Sequence, residues 1–325
     1  MAAGPVHCIQ VREVLIASSP PLASPSRRRW LRSAQVLVTL VVVGFVARSI
    51  ARNWTEFQSV HIAIQLSPVW IASSALLVFG TYLMQIESWR RILAGWGQRL
   101  PVRAAARAWS LANLGRYVPG KVWSVAGLVV LAERAGVQRG PAAASAVVIQ
   151  AVSVGTAVAV VAAATPHSAP PARLALAGLA AVATIGVLVW RPTAAWLSRL
   201  VGEGNGLEPL HLPAVLAACA LTVLTWIAYG VAFWMLTRGL IPGATLPVAT
   251  AIGAFTLGYI LGLLALFAPG GVGVRELVLV GVLTPFLGSG GAIAISVASR
   301  VFLTLTEATS ALVTFPFAHR AQESA

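Results

Sequence analysis

Long apolar runs separated by short polar segments fill the chain between about residue 34 and residue 314. A helix needs about 20 predominantly apolar residues to cross the hydrocarbon core of a bilayer. Seven runs reach about that length, at residues 34–51, 69–89, 141–164, 173–190, 213–237, 246–268 and 290–314. The pattern therefore predicts an all-α polytopic membrane protein.

Two further apolar stretches, residues 108–133 and 269–287, contain Pro-Gly breaks and can either cross the bilayer or re-enter it. They bring the predicted total to seven to nine membrane segments. In the first stretch, Pro119 lacks a backbone N–H and disfavours helix at the preceding residue, so the arriving helix should end near Tyr117. A new helix is expected from about Lys121.

The second stretch, "FAPGGVGVRELVLVGVL", repeats this layout 150 positions later. Pro269 and Gly270 end one helix, and Arg275 lies in the first turn of the next. Secondary transporters place substrate sites between structural repeats that contain such broken helices. The spacing thus suggests two halves, at about residues 30–165 and 210–315.

The composition agrees with a membrane location. The chain is 58% hydrophobic and 10% charged, and its mean hydropathy is +0.84. The net charge of +14 does not indicate nucleic-acid binding, because the arginines cluster beside the spans rather than along a stripe. Clusters at residues 27–32 and 90–107 flank the first two spans, and the positive-inside rule predicts a cytoplasmic N-terminus for a multi-pass protein of the cell membrane.

The chain ends differ from the membrane region in composition. The composition predicts a flexible Ser-, Pro- and Ala-rich leader over residues 1–26, a single membrane domain over residues 27–318 and a tail over residues 319–325. No small-residue cleavage site follows the first apolar run, so we expect an uncleaved anchor. The surplus of Ala, Arg, Gly, Pro and Val suggests a GC-rich, bacterial genome.

Motifs of conventional active sites are absent from the sequence. All nine acidic residues are glutamates, and no P-loop, GxGxxG, HExxH or GxSxG motif occurs. Cys8 and Cys219 are too few and too far apart to suggest a metal site or a disulfide framework. We expect no metal and no cofactor, and the sequence favours a non-enzymatic role.

The most informative charge in the sequence is Lys121, directly after the Pro119-Gly120 break. Lys121 is the only lysine in the sequence, and it lies in the first turn of a predicted helix. A cation there opposes the helix dipole at a cost of about 0.3–1 kcal/mol, so an anion should be nearby. With Arg116 and the N–H groups around Gly120, it predicts an anion-binding site.

Further charges within apolar segments must pair or face a wet interior, because a charge at the bilayer centre costs about 2.5–3.5 kcal/mol. Glu276 can neutralise Arg275, and Glu307 can pair with Arg300 through the bundle interior. Glu87 precedes Arg90 and Arg91 by one helical turn, which predicts a structural clamp. The candidate head-group site comprises Asn113, Arg116, Tyr117, Pro119, Gly120, Lys121, Pro269, Gly270, Gly271, Arg275, Glu276 and Arg300.

The segments "NLGRYVPGKVW", "WRRILAGWG" and "PGGVGVRE" and the region around Arg300 resemble the transmembrane-domain family of lysylphosphatidylglycerol synthases, a group of flippase-like membrane proteins. The resemblance covers about residues 30–315. In two-domain synthases a soluble aminoacyl-transferase domain follows, and the membrane part is associated with moving the modified lipid between leaflets. This chain ends at Ala325, so we expect that domain to be missing. Many related members carry an acidic residue where this sequence has Gln150.

Three functional hypotheses follow. The first is a protein that binds the anionic head group of a phospholipid or polyprenyl-phosphate glycolipid and aids its translocation. The second is an accessory subunit that partners an envelope glycolipid enzyme. The third is an integral-membrane transferase, whose base would come from Glu87, Glu133, Glu276 or Glu307.

Overall fold

The computed structural model describes residues 66–117, 122–164, 171–202, 206–265 and 271–315, and the described residues form helices and connecting turns. The predicted span at 34–51 lies outside these ranges. The described α-helices are α1 Pro68–Gly95, α2 Val102–Leu114, α3 Val122–Arg134, α4 Arg139–Ala163, α5 Pro171–Val189, α6 Arg191–Val201, α7 Leu212–Leu240, α8 Val248–Leu264 and α9 Val274–Thr314. The predicted all-α fold is confirmed.

Within the described part of the chain, four helices are long and apolar enough to cross a membrane: α1, α4, α7 and α9. The predicted span at 173–190 corresponds to α5, which is followed by α6 at a 62° bend, and the two together could form a fifth, broken span. Helix α8 is shorter than its predicted run, with 17 residues.

Helices α1 and α7 form the centre of the bundle. The Ser74 hydroxyl donates to the Ala232 carbonyl at 2.7 Å, and the Ser88 hydroxyl donates to the Ala218 carbonyl at 3.0 Å. Since the contacts move backwards along α7 as they move forwards along α1, the two helices are antiparallel. Trp89 and Trp226 are fully buried beside this interface. Small residues at such contacts let membrane helices approach closely.

The C-terminal end of α1 carries the predicted charge clamp. Glu87 accepts from the Nε atom of Arg91 at 2.6 Å and also pairs with Arg90. The Nε atom of Arg90 donates to the Leu100 carbonyl at 2.8 Å. The clamp is confirmed, and it ties the end of α1 to the segment that leads into α2.

The first broken stretch is a hairpin, called here the first hairpin, made of α2 and α3. A side-chain carbon placed on Gly127 would lie 3.5 Å from Cα of Ala112, and one on Gly115 would lie 2.8 Å from the backbone nitrogen of Ser124. These contacts show that the two helices are antiparallel. Each has 13 residues and rises about 20 Å, which is short of the roughly 30 Å hydrocarbon core. The first stretch therefore has the dimensions of a re-entrant hairpin.

The second broken stretch, called here the second hairpin, consists of α8 and residues 274–287 of α9. A side-chain carbon on Gly262 would lie 3.4 Å from Cβ of Arg275, and one on Gly258 would lie 3.5 Å from Cγ of Leu279. The arms are again antiparallel. The close approach requires glycine at Gly271 as well, where φ is +72° and an added Cβ would meet the Gly262 backbone at 2.8 Å.

Helix α9 bends sharply at Gly288, whose φ of 69° and ψ of 167° are not helical. Pro285 precedes the bend and removes one helical N–H. Residues 24 positions apart contact across the bend, whereas a straight helix would separate them by about 36 Å. The two predicted segments at 269–287 and 290–314 therefore fold back on each other.

Candidate functional site

The first hairpin presents Arg116 to the last helical arm. Helix α2 ends at Leu114 and tightens into a 3-10 turn over Gly115–Tyr117, as the Pro119 break predicted. One guanidinium nitrogen of Arg116 donates to Oε1 of Glu307 at 2.8 Å, and the other donates to Oδ1 of Asn113 at 3.0 Å. Glu307 is 5% exposed, so this ion pair lies inside the protein.

The second hairpin reaches the same arm through Glu276. One carboxylate oxygen of Glu276 accepts from the Gly273 backbone N–H at 2.6 Å, which caps the start of α9. The other oxygen pairs with Arg300. Glu276 therefore fixes the start of the hairpin's second arm and holds the Arg300 side chain in place.

Arg275 is the most buried of the cavity arginines. It is 7% exposed, and its guanidinium carbon lies 4.9 Å from the ring centre of Phe255. Its Nη2 atom lies 3.5 Å from the Ser299 hydroxyl, and its Nε atom has no hydrogen-bond partner among the described residues. Arg275 makes no ion pair with any residue that the structure describes, so its charge is not neutralised by a direct carboxylate contact there.

The two hairpins converge on one stretch of α9. Arg116 pairs with Glu307, and Glu276 pairs with Arg300. Arg300 and Glu307 are seven positions apart in the sequence and thus about 10 Å apart along a helix. The Ser110 and Ser310 hydroxyls, 2.9 Å apart, extend the contact between α2 and this arm. The ends of both broken helices therefore meet within two helical turns.

A cavity of about 330 Å³ opens at this meeting point. Its walls come from α1, both arms of the first hairpin, α4, α7, both arms of the second hairpin and the last arm of α9. Asn113, Arg116, Arg275 and Arg300 all line it, together with Glu307. Three arginines against one carboxylate make the described lining cationic.

The structure thus brings together four of the candidate site residues and places Glu276 directly behind Arg300. Gly271 serves the close packing of the second hairpin, and Tyr117 ends the 3-10 turn. Pro119, Gly120, Lys121, Pro269 and Gly270 lie outside the described residues. Their assignment to the site stays a prediction.

Two predicted charge pairings were wrong in their partners. Glu276 pairs with Arg300 rather than with its neighbour Arg275, and Glu307 pairs with Arg116. The reason is geometric: Arg275 points into the packing beneath Phe255, while Glu276 caps the helix on another side. The fold also brings α2 against the last arm of α9, which spacing along one helix does not show.

Sequence reasoning missed the neutral part of the lining. Gln85, Trp109, Gln150, Trp226 and Tyr259 all face the cavity. The ring of Tyr259 lies 5.8 Å from the guanidinium carbon of Arg116, and the Trp226 indole N–H donates to the Ser153 carbonyl at 3.2 Å. The available signal was an amide side chain within an apolar span, at Gln85 and Gln150.

Comparison with known proteins agrees with this architecture. Residues 33–308 match the family model of the lysylphosphatidylglycerol synthase TM region. No curated protein matches the chain. Since the family match spans most of the sequence, the chain belongs to that family, and it is a multi-pass membrane domain of the lysylphosphatidylglycerol synthase type.

Proposed function

We propose that this member of the lysylphosphatidylglycerol synthase membrane-region family binds the anionic head group of a lipid in the cavity between its two hairpins and aids its movement across the bilayer. The observation that carries the proposal is the convergence of Arg116, Arg275 and Arg300 on one cavity. Charges inside a membrane are costly and mark binding sites or pathways. A phosphate would compensate the positive charge that is not neutralised by the described carboxylates.

The arrangement of the hairpins supports a transport role. The order long helix, hairpin, long helix occurs twice, as α1 to α4 and as α7 to α9. Because α1 and α7 are antiparallel, the second set would be inverted relative to the first. Inverted repeats with broken helices near the bilayer midplane are the architecture of many secondary transporters. We therefore propose halves at about residues 30–165 and 210–315.

The arginine clusters orient this arrangement. Arg90 and Arg91 lie in the last turns of α1, and further arginines follow it up to residue 107. The positive-inside rule assigns this end of α1 to the cytoplasm. The first hairpin would then enter from the cytoplasmic side and the second from the opposite side, with a cytoplasmic N-terminus in the cell membrane. Access to a site between two such hairpins can alternate if either one moves.

Lys121 and the residues of the two breaks belong to the same proposal. Lys121 follows Arg116 by five positions, and Pro269 and Gly270 directly precede Gly271. The described residues that flank the two breaks line the cavity or pack beside it, which supports including these residues in the proposal. Lys121 and Arg116 would contact the phosphate from one side, and Arg275 and Arg300 from the other. Asn113 and Tyr117 would orient the head group by hydrogen bonds.

The proposal is tested by mass spectrometry of lipids that remain bound after mild detergent purification. Wild type is compared with Arg275→Gln and Lys121→Ala. Arg238→Gln is the matched control, because Arg238 also stacks on an aromatic ring, at 5.8 Å from Trp234, but lies outside the cavity. We expect one anionic lipid class to be enriched in wild type and the control, and lost in both site variants. The same unselective lipids in all four samples would contradict the proposal.

Translocation is measured separately in proteoliposomes. A fluorescent anionic lipid is placed in both leaflets, and a membrane-impermeant quencher reports how fast the inner pool reaches the outer leaflet. We expect wild type and Arg238→Gln to accelerate this exchange over protein-free vesicles, and Arg275→Gln to lose most of the acceleration. Retained lipid without acceleration would instead favour an accessory role beside a partner enzyme.

A further inference from the structure

The carboxylates in and behind the described cavity wall are already paired with arginines. Glu307 is the one carboxylate in the described lining, and it accepts a hydrogen bond from Arg116 at 2.8 Å. Glu276, behind the wall, binds Arg300 and the Gly273 N–H. A ligand ammonium group would therefore meet three arginines and no available carboxylate among the described residues. Repulsion between like charges makes a cationic head group a poor occupant.

Neutral hydrogen-bonding groups, by contrast, are available on several walls. The amides of Gln85 and Gln150, the hydroxyl of Tyr259 and the indole N–H of Trp109 all belong to lining residues. None of these four groups has a hydrogen-bond partner within the described ranges, and the Trp109 indole nitrogen is fully buried. A buried polar group without a hydrogen-bond partner is energetically unfavourable. Groups of this kind on a cavity wall are suited to ligand hydroxyls.

These groups come from different sides of the cavity. Gln85 lies on α1, Gln150 on α4, Trp109 on α2 and Tyr259 on α8. Amides both donate and accept, and Tyr and Trp combine a flat apolar face with a polar atom. A polyhydroxyl unit has the matching chemistry, because its hydroxyls point outward in several directions and each can donate and accept.

The size of the cavity sets a bound on the occupant. Its volume of about 330 Å³ lies at the low end of small-molecule sites, which span about 300–1,000 Å³. This is space for a compact head group, with the lipid chains outside the cavity. The arginines account for a phosphate, and the remaining polar lining is uncharged.

We infer that the cavity selects a lipid whose phosphate carries an uncharged polyhydroxyl unit and rejects a lipid whose head group carries an ammonium. This inference rests on the proposed function, and it specifies the head group. Two sources share this chemistry: a phospholipid with an inositol or glycerol head, and a polyprenyl phosphate that carries a neutral monosaccharide. A bare phosphate monoester lacks the polyol, and an aminoacylated phosphatidylglycerol adds the excluded cation.

The test is a binding competition on the full chain in nanodiscs with four probe lipids: phosphatidylinositol, a polyprenyl-phosphate monosaccharide, phosphatidic acid and lysyl-phosphatidylglycerol. Native mass spectrometry gives their relative affinities. We expect at least one of the first two to bind about tenfold or more tightly than phosphatidic acid, and the lysyl lipid to bind weakest. Which of the two polyol lipids binds more tightly identifies the source. Equal binding of polyol lipids and phosphatidic acid, or tight binding of the lysyl lipid, would overturn the inference.

Amide variants make the test specific to the cavity. Gln85→Leu and Gln150→Leu should each reduce the preference for the polyol lipid several-fold and leave phosphatidic acid binding unchanged. Gln150→Glu should improve binding of the lysyl lipid at the expense of the anionic ones. Gln138→Leu is the matched control, because Gln138 is exposed and outside the cavity. Loss of all lipid binding in the leucine variants, with folding intact, would contradict the assignment of these amides to polyol selection.

Failure of this inference is distinguishable from failure of the proposed function. If phosphatidic acid and the polyol lipids all bind, and Arg275→Gln weakens all of them alike, the site binds phosphate and only the polyol preference is wrong. If none of the four lipids binds, or if Arg275→Gln changes none of them, the proposed function itself is wrong.

Discussion

The two hairpins reach the same cavity with different amounts of packing. In the first hairpin, α3 buries only Leu128 and Ala132, and Val122 at its start is 72% exposed. In the second hairpin, successive turns of the α9 arm bury Arg275, Leu279 and Leu283. The backbones of Gly262 and Gly271 are in contact. Regions with few buried contacts open locally at lower free energy. Helix α3 is therefore the arm of the first hairpin that is more easily displaced, and the second hairpin is the fixed wall.

The ion pairs also hold the second hairpin more firmly than the first. Glu276 binds Arg300 across the bend of α9 and also caps its own helix. The first hairpin supplies a cation, Arg116, and takes its carboxylate from the distant Glu307. A hairpin held by a contact to another element can move when a ligand phosphate competes for its arginine.

The largest expected effect is at Glu276. Glu276→Ala removes the cap of α9 and leaves Arg300 without this carboxylate. Breaking a fully buried ion pair costs about 3–5 kcal/mol. The side chains of Arg300 and Glu276 are 24% and 21% exposed, so we expect a loss near the lower end of that range in the free energy of unfolding in detergent. Chemical denaturation followed by tryptophan fluorescence measures it. Glu276→Gln should cost less, since its amide oxygen can still accept from Gly273. A loss below about 1 kcal/mol for Glu276→Ala would show that the second hairpin does not depend on this residue.

Glycine substitutions compare the packing of the hairpins directly. Both Gly115→Ala and Gly271→Ala bring a Cβ within 2.8 Å of backbone atoms, and such crowding costs about 1–3 kcal/mol. Gly271→Ala should cost a further ~1–2 kcal/mol because its φ is left-handed. Thermal unfolding of both variants in the same detergent gives the order. A greater loss for Gly115→Ala would reverse the assignment of the fixed wall.

Hydrogen exchange measures local opening without mutation. Amides of α3 should exchange about tenfold or more faster than those of residues 274–287, a difference of about 1.4 kcal/mol in opening free energy. Peptide-resolved exchange of the wild-type protein in nanodiscs provides the comparison. An added anionic lipid should slow exchange in α3 more than in the second hairpin. Equal protection of both hairpins would remove the distinction between them.

The smallest expected effect is at the clamp outside both hairpins. Glu87 pairs with Arg90 and Arg91, whose side chains are 28% and 56% exposed. Partly exposed pairs within one helix contribute less than about 1 kcal/mol. Glu87→Gln should therefore lower the free energy of unfolding by less than 1 kcal/mol and leave lipid binding unchanged. A change in lipid binding would connect the clamp to the site.

Local backbone chemistry made the helix breaks predictable from the sequence. The break expected from Pro119 agrees with the end of α2 at Leu114 and of its 3-10 turn at Tyr117. The glycines before Arg275 agree with the start of α9 at Val274. Whether each broken stretch crosses or folds back was not predictable, because it depends on contacts such as that between Gly262 and Gly271. The spacing of apolar residues along a chain does not show which helices approach each other closely.

The candidate site was predictable to a similar extent. Charges within apolar runs stand out, so Arg116, Arg275 and Arg300 could be selected. Their carboxylate partners were not predictable, since Arg116 and Glu307 are 191 positions apart. Trp109 and Tyr259 resemble any aromatic residue of a membrane helix until the fold turns them toward the cavity. Neutral lining residues have no sequence signature of their own.

Photo-cross-linking tests the central claim, that an anionic head group binds between the two hairpins, most directly. An anionic lipid with a photoreactive group on its head is incubated with the wild-type protein, irradiated, and mapped by peptide mass spectrometry, with unlabelled lipid as competitor. We expect labels that the competitor suppresses on α2, on α4 around Gln150 and on α9 between Arg300 and Glu307. Labels confined to outward-facing residues such as Leu174 and Leu179 on α5, 64% and 65% exposed, would contradict this claim.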